Sequence, residues 1–175
     1  MKSNLSSNFT VLGIDPGLET TGWALLERKS LASSKCLDFG SLHTSSKLPF
    51  AKRLEIVFEG ITSLINTCSP DFIALEEMFF IKKANTVLKT VQTRGVILLA
   101  ISKSKIPVET FSPRQVKLVV TGSGTADKYQ VARMVQLTLG LKSVPKLDDI
   151  TDGMAMALCF IKTVPLKNKM RLAIK

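Results

Sequence analysis

Histidine, cysteine and long apolar runs are all scarce in this chain of 175 residues. The one histidine, His43, excludes a histidine-rich zinc cluster, and any histidine-based triad would have to use it. We expect His43 to lie on the surface. The three cysteines, Cys36, Cys68 and Cys159, are odd in number and widely separated. We interpret them as reduced, buried thiols rather than as disulfides or zinc ligands, which is typical of a cytoplasmic protein.

Membrane-spanning and targeting segments are also missing from the sequence. No apolar run approaches the roughly 20 residues that cross a bilayer, and Met1 to Phe9 lacks the hydrophobic region of a signal peptide. We therefore expect a cytoplasmic location and no membrane partner. With 45% hydrophobic residues, the chain is apolar enough for one compact domain. We predict a disordered or extra N-terminal segment over 1–8, a single domain over 9–163 and a basic C-terminal tail over 164–175.

Negative charge is scarce relative to positive charge. The sequence has 24 basic and 14 acidic residues, a net charge of +10, and no acid follows Asp152. Such an excess favours association with polyanions, either nucleic acid or an anionic membrane surface. For the C-terminal residues alone, a solvated basic tail is an equally good interpretation.

The hydrophobic pattern predicts an α/β fold. Three segments with short connections, Phe9–Asp15, Thr21–Leu26 and Lys35–Leu42, indicate an antiparallel meander. The further predicted elements are, in order, a helix after Pro49, a strand over Phe72–Leu75, a helix over Asn85–Ser102, a strand over Pro107–Phe111, and three helices that begin near Ser112, Thr125 and Asp148. This order predicts a mixed sheet flanked by helices.

Two of the predicted strands end in acidic residues. Asp15 stands where the apolar run of Leu12 and Ile14 stops, before Pro16, and the strand that begins at Phe72 runs into Glu76. Because a charge at the end of a buried strand is costly to desolvate, such an acid usually has a cation partner. The alternative for Asp15 is an Asx-type turn that caps a hairpin.

Two more acids begin the last predicted helix. Asp149 and Asp152 are three residues apart and share a helix face, although acids at this position also simply stabilise a helix start. If this helix packs on the sheet, it brings the pair towards Asp15 and Glu76. Four clustered carboxylates repel one another unless a cation neutralises them, and oxygen ligands favour Mg²⁺ or Mn²⁺. Two such ions about 4 Å apart can hydrolyse a phosphodiester. We therefore predict a nuclease with these four residues as metal ligands and catalytic groups.

A predicted loop after Glu77 combines aromatic and basic residues. Phe79 can stack on unpaired bases while Lys82 and Lys83 contact phosphates. The alternative is a hydrophobic loop that packs on the core or on a partner subunit, which we favour for Phe80.

Taken in order, these motifs resemble the RuvC-type Holliday-junction resolvases from about Val11 to Ile161. The stretches that carry the resemblance are Leu12–Gly17 with Thr21-Gly22, Ala74–Glu77 with Phe79 and Lys82, Ala84-Asn85, Gln92–Gly95, Arg114–Lys117, and Asp149, Asp152, Ala155 and Ala157. The resemblance implies a ribonuclease H-like fold, a homodimer, and metal-dependent paired nicking of four-way DNA junctions in recombination and repair. It also suggests a branch-migration complex as a partner.

The family pattern assigns roles to individual residues. Its metal carboxylates fall on Asp15, Glu76, Asp149 and Asp152. Phe79 falls where the family has an aromatic that inserts among junction bases, and Lys117 and Lys128 fall on basic positions associated with activity or DNA contact; Arg114 shares a short helix with Lys117. Without the resemblance, these lysines are interpreted as solvated surface residues.

Three positions leave questions that the resemblance does not answer. Asp148 adjoins Asp149, so both are candidate ligands, although the family spacing to Asp152 favours Asp149. Gly153 stands where a better helix former is usual, and we expect it to loosen that turn. The apolar helix around Gly95 is our candidate for the subunit interface.

Three other functions share some of these features. A different ribonuclease H-like nuclease, acting on RNA–DNA hybrids or processing RNA, needs the same carboxylates. A nucleotide-dependent kinase or ATPase also uses an Asp-x-Gly hairpin, but that fold normally needs a longer chain. A non-catalytic, basic nucleic-acid-binding protein would use these acids only as caps.

Overall fold

The computed structural model describes residues 8–30, 33–77 and 84–173, with the side chains of 84–87 and 164–173 left aside. Its elements are β1 (Phe9–Asp15), β2 (Thr20–Arg28), β3 (Ser34–His43), α1 (Phe50–Cys68), β4 (Phe72–Glu76), α2 (Ala84–Ser104), β5 (Val108–Phe111), α3 (Pro113–Thr121), α4 (Lys128–Leu139) and α5 (Asp148–Ala173). The predicted order of strands and helices is confirmed. Helix α5 continues to Ala173, so the residues predicted as a basic tail begin as part of this helix.

The five strands form one mixed sheet in the order β3-β2-β1-β4-β5. Strands β1, β2 and β3 pair antiparallel, as the predicted meander requires, whereas β1 pairs with β4, and β4 with β5, in parallel. Ile14 of β1 lies opposite Leu75 of β4. Since Asp15 and Glu76 follow these two residues, both strands deliver their carboxylates to the same edge of the sheet.

Helices cover both faces of the sheet, and each face has its own hydrophobic core. On one face α1 and α2 pack against β1 and β4 through residues such as Leu12, Ile61 and Ile97. On the other face lie α3, α4 and α5. Helix α5 is buried on all sides from Ile150 to Ile161, apart from the half-buried Asp152. A helix of this kind is central to the fold.

The start of α5 lies unusually close to β2. A Cβ added at Gly153 would stand 3.0 Å from the Trp23 Cα, and one added at Gly22 would stand 2.0 Å from the Asp149 carbonyl oxygen. The expectation that Gly153 loosens the helix is therefore wrong. Its missing side chain lets the helix backbone rest on the strand, which fixes the position of Asp149 and Asp152.

The start of α4 also differs from the prediction. Thr125 does not cap this helix, because Asp127 accepts from the Gln130 backbone N–H at 2.8 Å while the Gln130 side chain accepts from the Asp127 N–H at 2.9 Å. This reciprocal pair satisfies two backbone donors, which a lone threonine cannot do. The predicted cap of α3 is confirmed, since Ser112 accepts from the Gln115 N–H at 3.2 Å.

The scarce residues lie in three different settings. Cys159 is buried, but Cys36 and Cys68 are only half-buried, so the prediction of three buried thiols is wrong for two of them. His43 is exposed, as predicted, and hydrogen-bonds Ser41 and Thr20. Among the described residues, no helix combines the length and apolar character needed to cross a bilayer.

Candidate active site

Asp15 and Glu76 meet at the edge where β1 and β4 end. Their carboxyl groups hydrogen-bond each other, which requires a proton between them. Burial raises the pKa of Asp15 to about 8, and the negative charges of Glu76, Asp152 and Asp149 add to the effect. Burial also raises the pKa of Glu76, whereas the hydrogen bond with Asp15 lowers it by a smaller amount. The predicted convergence of these two strand ends is therefore present in the fold.

Helix α5 brings the other two predicted carboxylates to the same edge. Burial raises the pKa of Asp152, although the ammonium groups of Lys128 and Lys117 oppose the shift. Asp149 is half-buried and lies against the loop of residues 17–20 that follows Asp15. Asp148, the alternative to Asp149, is exposed and pairs instead with Lys128 at 3.4 Å. The two adjacent acids thus have different surroundings, although both charges raise the pKa of Asp152.

The chemistry of this donor set fits a hard divalent cation. The four carboxylates offer only oxygen ligands, and the raised pKa values of three of them show that negative charge is costly here. In the described part of the chain, no three His, Cys, Asp or Glu side chains already stand in an arrangement that encloses an ion. Asp15 and Glu76 instead share a proton, and a divalent cation would relieve the same repulsion.

Two of the predicted DNA-contact residues lie beside the carboxylates. Lys117 of α3 and Lys128 of α4 line a cavity of about 170 Å³ together with Glu76 and Asp152. Partial burial disfavours the Lys128 ammonium, but Asp152 and Asp148 outweigh this effect and raise its pKa. These lysines therefore place positive charge at the rim of the acidic centre.

Four further residues were predicted to contact DNA. Arg114 is exposed and lies close to Gly124, where an added Cβ would stand 3.0 Å from the Arg114 Cγ. Phe79, Lys82 and Lys83 fall outside the described residues. Their roles stay predictions.

Sequence reasoning assigned no role to Arg94, which supports Glu76 from helix α2. Its Nε–H donates to the Glu76 backbone carbonyl at 2.8 Å. Its charge also lowers the pKa of the Glu76 carboxyl, as a smaller effect than burial. The sequence offered one indication of this role, since Arg94 is a cation next to the apolar half of a predicted helix, in the Gln92–Gly95 motif. No neighbouring residue indicated that Glu76 would be its partner.

A second basic cleft lies on the other side of Asp149. It has a volume of about 490 Å³ and is lined by Asp149, the loop of residues 17–20, Arg53 of α1 and Lys89 of α2. Sequence reasoning missed both cations. The acidic centre therefore stands between two cavities, each of which carries two basic side chains.

Comparisons with known proteins agree with this arrangement. Residues 11–160 match the family described as crossover junction endodeoxyribonuclease RuvC. The chain is 44% identical over 154 residues to the protein of that name from Chloroflexus aggregans, covering 88% of this chain and 93% of that protein. It is 40% identical over 159 residues to the one from Halothermothrix orenii, covering 91% and 96%.

Solved structures show the same relationship in three dimensions. Thermus thermophilus RuvC in complex with a Holliday junction substrate superposes with a TM-score of 0.86 at 29% identity, covering 91% of this chain and 97% of that one. The yeast mitochondrial Holliday junction resolvase Ydc2, at 12% identity and a TM-score of 0.66, shares the fold. The ribonuclease H-like fold inferred from the sequence is thereby confirmed, and the chain belongs to the RuvC family of crossover junction endodeoxyribonucleases, which are divalent-metal-dependent nucleases.

Proposed function

We propose that this chain resolves four-way DNA junctions by metal-dependent hydrolysis, with Asp15, Glu76, Asp149 and Asp152 as the metal ligands. One observation carries the proposal. The parallel register of β1 and β4, together with the close seating of α5, brings carboxylates from distant parts of the sequence to one edge of the sheet. Non-catalytic helix caps would not require this convergence.

The carboxylates must change protonation state when they bind metal. Asp15 and Glu76 share a proton, and this proton has to leave before both can act as ligands. Two Mg²⁺ ions, or Mn²⁺ in their place, would then supply an activated water and stabilise the leaving oxygen. Lys117 and Lys128, beside Glu76 and Asp152, attract the phosphate backbone and offset the charge of the acids.

The segment between β4 and α2 is the proposed source of junction selectivity. It follows Glu76 closely in the sequence, so residues Phe79, Lys82 and Lys83 are our candidates for contacts with DNA bound at the carboxylates. We assign base stacking to Phe79 and phosphate contacts to the two lysines. Arg114 is assigned to the DNA backbone further out, because it is exposed on the helix that carries Lys117.

A homodimer would allow two strands to be cut on one junction. Helix α2 exposes Leu88 (59%), Gln92, Gly95 and Leu99 (55%), which are spaced to share one face. A two-fold axis along this face would pair it with its copy and place two acidic centres on one complex. A branch-migration complex stays the predicted further partner.

Cleavage of a synthetic four-way junction tests the proposal. With Mg²⁺ or Mn²⁺ we expect two symmetric nicks in strands of like polarity, and no nicks with chelator. An RNA–DNA hybrid duplex of the same length is the comparison substrate. Preferential cutting of the hybrid would favour the other ribonuclease H-like function, and junction binding without cutting under all metal conditions would favour a non-catalytic protein.

A further inference from the structure

The cleft on the far side of Asp149 has no role in the reaction described above. Its two cations, Arg53 and Lys89, come from helices that otherwise pack through apolar side chains. A DNA strand whose phosphate lies at the carboxylates continues on both sides of them. Lys117 and Lys128 serve one side, and the 490 Å³ cleft is open on the other.

A buried threonine holds Arg53 in place. The Thr44 side chain is 5% exposed, and its hydroxyl donates to the Leu18 carbonyl oxygen. Because a hydroxyl has one proton to donate, Thr44 Oγ1 acts as the acceptor towards Arg53 Nε, at 2.8 Å. The Thr44 N–H also donates to the Glu19 carbonyl at 3.0 Å. Arg53 is thereby tied to the loop that follows Asp15.

The outer nitrogens of Arg53 are available to a ligand. Its Nε is already paired with Thr44, and no carboxylate of the described chain forms an ion pair with the guanidinium. A guanidinium held at Nε presents its terminal N–H groups in a fixed direction, which suits the paired oxygens of a phosphate. Lys89, from helix α2, adds a second positive charge to the lining of the cleft.

We propose that Arg53 and Lys89 form a binding site for a backbone phosphodiester of the cut strand, flanking the scissile phosphate, with Thr44 as the positioning residue. This inference rests on the proposed function, since the strand must be held at the carboxylates. Glu19 and Asp149 line the same cleft. Their charges disfavour a doubly charged free phosphate more than a singly charged diester that is already tethered to the site.

Salt-dependent binding of a four-way junction, measured with the full chain in chelator, is the first test. Each lost phosphate contact reduces the magnitude of the negative slope of log K against log salt by about 0.9. We expect this decrease, with about three- to tenfold weaker binding, for Arg53→Ala and for Lys89→Ala. Glu19→Gln should instead tighten binding.

Lys103 is the matched control, because it is exposed on the same helix as Lys89 and near the same face. It lies fourteen residues, or about 21 Å, along that helix. Lys103→Ala should retain the native slope. Lys52→Ala is the corresponding control for Arg53, because Lys52 is the neighbouring residue and pairs with Glu55 at 2.8 Å. It should also retain the native slope.

Neutral methylphosphonates placed one at a time around the nick locate the contact. A methylphosphonate at one DNA position should weaken junction binding by the native chain. The same methylphosphonate should cause no further loss of affinity in Arg53→Ala. Thr44→Val should give the same salt dependence as Arg53→Ala, whereas Thr44→Ser should keep the native salt dependence. If Thr44→Val does not fold, Arg53→Lys takes its place, because lysine lacks the Nε donor that bonds Thr44.

The two proposals fail in different ways. A native chain that neither binds nor nicks the junction overturns the proposed function. A native chain that does both, while Arg53→Ala and Lys89→Ala keep the native slope and respond to every methylphosphonate as the native chain does, overturns only the phosphate site.

Discussion

Helices α2 and α5 are both apolar helices with an internal glycine, yet the fold uses them in opposite ways. Around Gly153, α5 is buried on every side and its backbone rests on Trp23 of β2. Around Gly95, α2 is buried on one side by residues such as Ile97 but open on the other, and a Cβ at Gly95 would meet no atom within 4 Å.

The difference separates two tasks of the molecule. The close packing of α5 on β2 positions Asp149 and Asp152 near the strand ends, so this glycine supports the proposed catalytic centre. The open face of α2 leaves Leu99 55% exposed and leaves room for a Cβ at Gly95, which suits a partner subunit. The following predictions test this difference between the two helices.

The largest expected effect is on the acids that α5 carries. Asp152→Asn should lower the cleavage rate by at least about a thousandfold, because it removes a metal ligand and its charge, while junction binding changes less than about threefold. Asp15→Asn and Glu76→Gln should do the same. Single-turnover cleavage and gel-shift titration measure the two quantities.

Asp148 supplies the control for the same helix. Asp149→Asn should lower the cleavage rate more than about a hundredfold, and Asp148→Asn less than about fivefold, because only Asp149 faces the loop after Asp15. Equal losses for the two variants would show that the packing of α5 does not select the ligand.

The open face of α2 is the next target. Leu99→Glu should raise the dimer dissociation constant by about a hundredfold, since it would bury a charge without a partner in the proposed interface. Analytical ultracentrifugation measures this constant. Leu118→Glu, at a side chain of α3 that is 54% exposed, is the control. A native chain that is monomeric at micromolar concentration would contradict the assignment.

Alanine at the two glycines should change stability in opposite directions. Gly153→Ala should destabilise the fold by about 2 kcal/mol, because a Cβ would stand 3.0 Å from the Trp23 backbone. Gly95→Ala should stabilise the free subunit by about 0.5–1 kcal/mol, because alanine favours the helix and meets nothing there. Urea unfolding at low protein concentration measures both, and destabilisation of the free subunit by Gly95→Ala would overturn the contrast.

The last prediction concerns pH. The folded state retains a proton on Asp15 up to a pKa of about 8, whereas the unfolded chain releases it near 3.8. Between these values the folded state binds more protons, so the stability of the metal-free protein should fall as pH rises. We expect Asp15→Asn to raise the metal-free Tm at pH 8 by roughly 5 °C or more, because it removes the cost of ionising this buried carboxyl.

The same variant should show no such gain at pH 4, where Asp15 is protonated in the folded state. Added Mg²⁺ should raise the native Tm more at pH 8 than at pH 6, and should raise that of Asp15→Asn less. A native Tm that rises with pH between 5 and 8 in chelator would contradict the raised pKa of Asp15. Differential scanning calorimetry measures all of these values.

Much of the fold was predictable because its signals are local. The strand that ends at Asp15, the cap at Ser112 and the apolar stripe of α1 depend on neighbouring residues alone. Asp127 was missed because Thr125 is also a reasonable cap, and only the reciprocal bond with Gln130 decides between them. Gly153 was misjudged because its helix propensity is local but its close contact with Trp23 is not.

Periodicity, turn residues and charge are properties of short stretches, so the residues alone predict two strands and one helix that end or begin in acid within a basic chain. The contacts of Arg94 with Glu76 and of Thr44 with Arg53, and the different surroundings of the neighbouring Asp148 and Asp149, depend on the folded chain. These contacts join residues far apart in the chain. They form only after the sheet register and the seating of α5 have set the distances between the elements.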